Sequence, residues 1–237
     1  MTWSIVARDS GGAFGVAVAS RFFAVGVHCP HARSGSGALC TQALVNPHFG
    51  LQGLDALDSG LAPADVVMKL TNADAGRDHR QLHLIDSESR GAAYTGSACV
   101  AWCGHLVRDG FSVAGNMLAG EQVLVKTADA FEKTRGRPFA ERLLAALEAG
   151  EAAGGDKRGK QAAALLVHTT ESYPFLDLRV DDHAEPLAEL RRLYEKSLER
   201  YQPFVACLPS RARPAGITDR AVIEREIELF RKKAGSP

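Results

Sequence analysis

The chain has no surplus of charge: 28 lysines and arginines face 28 aspartates and glutamates over 237 residues. Without a basic field there is no electrostatic footprint for nucleic acid or for an anionic membrane surface. No apolar run reaches the roughly 20 residues that a membrane-crossing helix needs. Nor does an apolar signal-peptide core develop near the N-terminus, because Arg8 and Asp9 interrupt it. Cysteine is scarce, odd in number and scattered (Cys29, Cys40, Cys99, Cys103, Cys207). That argues against a disulfide framework and for a reducing compartment, with the cytoplasm as the expected location. Internal repeats and low-complexity tracts are missing too. What is present is an ordinary globular composition, 46% hydrophobic and 24% charged, enough for a core without metals or disulfides.

Short β-type segments dominate the first half. Residues 2–8 and 14–19 alternate on either side of Ser10-Gly11-Gly12, a hairpin that begins almost at once. Further strands are expected at 25–30, 37–44, 81–86, 91–95 and 111–114. Apolar residues at helical spacing mark helices near 49–59, 63–70, 121–133 and 139–149. Strands return at 161–168 and 175–180, before a charged amphipathic helix from about Pro186 to Tyr201. Residues 203–237 change character, with Pro203, Pro209 and Pro214 in a linker and an amphipathic helix over 219–233. We therefore expect a domain over 1–202 and a helical appendage over 203–237, packed on the domain or on a second subunit. Hairpins followed by helix pairs and further strands predict an α+β layered sandwich, not a doubly wound fold.

Two motifs resemble familiar sites without matching them. Gly154-Gly155-Asp156-Lys157-Arg158-Gly159-Lys160-Gln161 has the glycine and lysine spacing of a phosphate loop. Gln161 stands where a magnesium-binding Ser or Thr belongs, and the segment leads from helix into strand, the reverse of a phosphate loop. Nucleotide binding is rejected. The glycines still permit close approach to a ligand, so Asp156 and Arg158 are carried as substrate contacts, against the alternative of a solvated helix stop. Cys99, Cys103 and His105 have donor chemistry for a metal, but no second ligand pair lies at zinc-like spacing, and no metal or cofactor is assigned.

The early start of the first strand gives Thr2 a chemical reading. A hydroxyl needs a base within hydrogen-bond reach, and an N-terminal threonine carries its own in the α-amine, whose pKa is about 8. If Met1 is removed, Thr2 Oγ1 is a candidate nucleophile toward an amide carbonyl. A small residue after Met1 is also commonplace and by itself says little.

Several blocks then resemble one family: MTWSIVARD, GVAVASRFFAVG, ALCTQALVNPHFGLQGL, YTGSACVAWCGH, GNMLAG, RLLAALEAGEAAGGDKRGKQAAALLV and LRVDDHAEPLAEL. Together, across about residues 2–200, they resemble the domain-of-unknown-function family 1028, classed with the N-terminal nucleophile (Ntn) hydrolase-like proteins. The resemblance implies a four-layer αββα sandwich of antiparallel sheets. More distantly, Val16 to Arg21 resembles the second strand of proteasome-type hydrolases, which brings in Ser20 and Arg21 as site residues. In that pattern an aspartate precedes the Ser-Arg pair, and Ala19 stands here instead. No lysine lies between Thr2 and Lys69, so Arg33 is the nearest basic candidate to support the threonine, although a guanidinium cannot accept a proton. These departures argue against proteasome-like peptide cleavage. They leave open the hydrolysis of small amides or ureido compounds, and a non-catalytic binding protein that retains Met1.

Acyl transfer also needs donors toward the developing oxyanion. Asn116, at the end of a strand, is the catalytic candidate, and a turn asparagine is the competing account. Gln42, Asn46, Thr95 and Gln161 are further polar candidates for substrate contact. Cys40 with a histidine base would make a cysteine hydrolase only if the thiol were exposed and of low pKa. A small-molecule substrate and a homodimer or higher homo-oligomer complete the expectations.

Overall fold

The structure is a computed structural model and describes residues 2–233. Its first hairpin joins β1 (Thr2–Arg8) to β2 (Phe14–Ser20) in antiparallel register, Thr2 opposite Ser20 and Arg8 opposite Phe14. The expected strand at 25–30 is instead a 3-10 turn over Val25–Val27, followed by β3 (Pro30–Arg33). Ala24, with φ of 52°, breaks the extended path before that turn. β4 (Gly37–Ala43) leads through a tight turn into α1 (His48–Asp58) and α2 (Pro63–Asn72). Then come β5 (Arg80–Asp86), β6 (Gly91–Thr95), β7 (Gly104–Arg108) and β8 (Phe111–Asn116). β7 is a half-buried edge strand without a continuous apolar signature and is not among the strands expected from the sequence. α3 (Gln122–Lys133) and α4 (Phe139–Ala152) form an antiparallel pair before β9 (Ala162–His168) and β10 (Leu176–Val180).

All strand pairings are antiparallel. One sheet has six strands in the order β10-β9-β2-β1-β8-β7, and the other has four, β3-β4-β5-β6. Strand alternation sorts the side chains into layers. Trp3, Ile5 and Ala7 of β1 face Leu124, Phe131, Leu143, Leu144 and Leu147 of the α3–α4 pair. On the opposite face Val6, Phe14, Val16 and Val18 meet Ala38, Cys40 and Ile85 of the smaller sheet. That sheet turns Leu39, Leu82 and Leu84 outward against Phe49, Leu54, Val66 and Leu70 of α1 and α2. The result is the expected four-layer αββα sandwich.

α5 (Pro186–Glu199) packs Leu187, Leu190 and Tyr194 onto the same core as α3 and α4. Arg191 ties it to α4 through Glu141 at 2.5 Å and Glu148 at 2.8 Å. α6 (Tyr201–Val205) accommodates Pro203 in a single short helix. α7 (Arg220–Lys233) is linked back by the Arg200–Glu224 ion pair, and Ile227 is buried. Among the described residues no helix is long and apolar enough to cross a membrane.

Candidate functional site

β1 lies in the middle of the six-stranded sheet, so Thr2 is held from both sides, opposite Ser20 on β2 and Asn116 on β8. Alternation turns Thr2 into the space between the sheets together with Ser4 and Val6. Its side chain is buried, and Oγ1 donates to Ser20 Oγ at 3.2 Å. Thr2 also lines a narrow cavity of about 50 Å³ with Phe22, Val25, His28, Cys29, Gln42 and Val45. Met1, and with it the expectation of its removal, lies outside the described residues.

Beyond Thr2 the inter-sheet space stops being apolar. Ser4 Oγ donates to Gln42 Oε1 at 2.6 Å and lies 2.8 Å from His83 Nε2, while His83 Nδ1 lies 2.8 Å from Ser112 Oγ. A serine hydroxyl has one proton. With that proton given to Gln42, Ser4 must accept from His83 Nε2–H. His83 Nδ1 then accepts from Ser112. The chain continues as Gln42 Nε2 donates to Gln81 Oε1 at 2.7 Å, which also accepts from Asn116 Nδ2 at 3.0 Å. Gln81 Nε2 in turn reaches Thr95 Oγ1, Gly104 O and Gly115 O, each at 2.9 Å. Every link thus has one direction, and the imidazole has one tautomer. Burial, with His105 nearby, lowers the His83 pKa to about 3, so the ring is neutral at ordinary pH.

The thiols are not nucleophiles. Burial pushes Cys29 up to about 12 and holds Cys40 well above the ordinary thiol value, so both remain protonated. The conceivable cysteine-hydrolase reading is thereby corrected.

Backbone geometry is unusual around Thr2. Of the four described non-glycine residues with positive φ, Ala24 and Ala43 line the cavity or border it and Met117 directly follows Asn116. Such conformations cost on the order of 1–3 kcal/mol each and gather at working sites. Met117 is held by its N–H bond to Val100 O at 2.8 Å.

The expected site residues fall into three groups. Thr2, Ser20, Gln42 and Asn116 come together at the end of the inter-sheet space. Arg21, Asp156, Arg158 and Gln161 lie beside them where β2 ends. Gln161 N–H donates to Ser20 O at 3.0 Å, and Arg21 Nη1 reaches Arg158 O at 2.7 Å. Asp156 is not presented to a ligand: its carboxylate is fully buried and accepts the backbone N–H groups of Arg158 at 2.7 Å and Arg21 at 3.3 Å. Gly154 and Gly155, at φ of 112° and 46°, supply the left-handed turn that lets this loop close beneath Trp3. The glycine loop is an anchor for the end of β2, and it runs from α4 to β9.

Arg33 and Asn46 stand elsewhere. Arg33 pairs with Asp55 of α1 at 2.8 Å, on the outer side of the smaller sheet, so it does not support Thr2. Asn46 builds the β4–α1 turn, accepting from His48 N–H at 3.2 Å and donating to Asp74 at 3.4 Å. Thr95 touches the network only at its far end, between Gln81 and His105. Sequence reasoning missed Ser4, Gln81, His83 and Ser112. Their signal was a polar residue at alternate positions of an otherwise apolar strand: Ser4 two places after Thr2, Ser112 four places before Asn116, and Gln81 with His83 on β5.

The αββα layering places the chain in the class of four-layer sandwiches of antiparallel sheets, with the Thr2 hydroxyl at the start of a central strand. Within that class the chain belongs to the family of unknown function DUF1028, whose model matches residues 2–190. The crystal structure of protein SPO2555 from Silicibacter pomeroyi, a member of that family, is similar at 33% identity and a TM-score of 0.86, covering 92% of this chain and 96% of that one. Anbu (ancestral beta-subunit) from Yersinia bercovieri is similar at 14% identity and a TM-score of 0.41, covering 88% and 98%. No curated protein matches the chain.

Proposed function

We propose that the protein is an Ntn-type amidohydrolase that cleaves a C–N bond in a small amide or ureido compound, with Thr2 as nucleophile. The observation that carries this reading is the position of the Thr2 hydroxyl: shielded from bulk water, bonded to Ser20 and open to a cavity between the sheets. Once the peptide bond before Thr2 is cut, its α-amine is the general base. Oγ1 attacks the carbonyl carbon as the amine takes its proton; the C–N bond breaks, and that proton leaves with the departing nitrogen. Water then hydrolyses the acyl ester and restores the hydroxyl. Asn116 is the proposed side-chain donor toward the oxyanion, held in place through Gln81.

The test begins with protein purified from its native host. Intact mass should place Thr2 at the N-terminus. Thr2→Ser should retain hydrolysis of a small amide found by panel screening, and Thr2→Ala should abolish it along with covalent adducts at residue 2. A residue retained before Thr2, or full activity in Thr2→Ala, overturns the mechanism. One observation favours a second reading, a non-catalytic binding protein of the same fold. The cavity of about 50 Å³ is well below the roughly 300 Å³ at which ordinary ligand pockets begin. Saturable binding without turnover in the processed protein selects that reading.

A further inference from the structure

A second concavity of about 320 Å³ lies at the opposite end of β1 from Thr2. Six residues of strand rise separate the two ends, roughly 20 Å at about 3.3 Å per residue. Three hairpin turns form its floor. They are cross-tied, because Arg8 N–H donates to Gly110 O at 2.9 Å and Gly110 N–H to Ser89 O at 3.3 Å. Its wall is the corner of the α3–α4 pair, with Phe131, Glu132, Arg135 and Arg142.

Three guanidinium groups converge there, from Arg8, Arg135 and Arg142. Among the described residues none of the three has a carboxylate partner, whereas Arg33, Arg80, Arg90, Arg108 and Arg191 all do. Arg142 lies 4.0 Å over the Phe131 ring and donates one bond to Phe131 O at 3.3 Å. Arg8 reaches Ser89 Oγ at 3.2 Å and Asp9 O at 3.4 Å. The Nε atoms of Arg8 and Arg142 are buried without a partner. Burial first, and then the positive charge of Arg135, lower the Arg142 pKa from its ordinary value, against a smaller opposing effect of the Asp9 carboxylate.

Acidic groups also border the cavity, but two are engaged. Glu132 holds Arg108 at 2.7 Å, and Asp9 Oδ1 accepts the Ala13 N–H at 2.8 Å. Asp109, in the turn between β7 and β8, is the remaining carboxylate. Arg8 and Arg142 are half-buried and Arg135 is exposed at the rim, none is ion-paired among the described residues, and a planar guanidinium fork fits an oxyanion in bidentate geometry.

We propose that this cavity is a binding site for a small oxyanion, a phosphate or carboxylate group held by Arg8, Arg135 and Arg142. Serine hydroxyls of Ser10 and Ser89 border the same space and complete a donor-rich lining. The site is separate from Thr2 and independent of the amidohydrolase reading. Its ligand is bound there, not turned over.

The test uses the full chain with inorganic phosphate and succinate as probes, against sodium chloride at matched ionic strength. Calorimetric titration and thermal unfolding should show saturable binding of at least one probe beyond the chloride control. Phosphate alone identifies a phosphoryl site, and succinate alone a carboxylate site. Arg135→Gln, on the turn after α3, and Arg142→Lys, which keeps the charge but loses the fork, should each weaken binding at least tenfold. Circular dichroism checks that both variants remain folded, and Arg200→Gln, at a distant ion pair, should bind like the parent. No saturable binding of either probe, or binding unchanged in both folded variants, overturns the proposal.

Discussion

Replacing His83 with glutamine should flatten the acid-side pH dependence of stability. The ring is completely buried, and its pKa falls from 6.5 to about 3, mainly through desolvation. The folded protein therefore keeps His83 neutral down to about pH 3, whereas the unfolded chain takes up a proton near pH 6.5. Between those values the unfolded state binds more protons, so stability rises with pH and is lost as pH falls. Over the full window the loss approaches about 5 kcal/mol, from 3.5 units at about 1.4 kcal/mol each. Between pH 7 and pH 5 the same two values give about 2 kcal/mol. That is a large share of the roughly 5–15 kcal/mol typical of a domain.

Glutamine offers both a donor for Ser4 and an acceptor for Ser112, so the variant has a route to folding. Any repacking cost, of about 1–3 kcal/mol, is independent of pH. Urea unfolding at pH 7 and pH 5 gives the two differences directly. His31, His105 and His168 are also lowered, and they contribute equally to both proteins. The parent should lose about 2 kcal/mol more than His83→Gln over this interval. Equal losses in the two proteins refute the assignment of a neutral, buried imidazole.

Two further substitutions probe the scaffold. Gly15→Ala on β2 places a methyl group against Leu143 Cδ1 and 2.8 Å from Phe139 Cε1 of α4. It should cost about 1–3 kcal/mol in urea unfolding by forcing the helix pair off the sheet. Ala43→Gly, at φ of 69° beside Thr2, should raise stability by about 0.5–1 kcal/mol by relieving a left-handed alanine. A fall in melting temperature counts against strain at that position.

Much of the fold was legible because the strands and helices carry clean periodicities. The β1–β2 hairpin, α3 and α4 fall within a residue or a few of their expected limits, and the layers follow from which alternate positions are apolar. β7 was not legible, since Gly104 to Arg108 is short, half exposed and half polar. The site was legible where one strand neighbours another, as with Thr2, Ser20 and Asn116. It was not legible where two sheets meet. Arg33 and Gln42 stand on adjoining strands of the smaller sheet, yet one faces α1 and the other faces Thr2. His83 looked like one more polar residue in an alternating strand, and only the stacking of the sheets places Ser4 and Ser112 on either side of it. Nor could the sequence show that the glycine loop turns its aspartate inward, because that depends on the end of β2 arriving beside it.

The one-way hydrogen-bond chain from Ser112 through His83, Ser4 and Gln42 to Gln81 has a consequence for how the family can vary. Each interior member accepts from the one before and donates to the one after, so a lone apolar substitution there strands two neighbours at once, whereas a side chain with both a donor and an acceptor, such as glutamine at position 83, strands neither. Drift toward apolar residues at these positions must therefore proceed in matched sets. Homologues should keep the row, exchange a member for another that both donates and accepts, or exchange several members together for apolar residues, and rows with one apolar member should be rare.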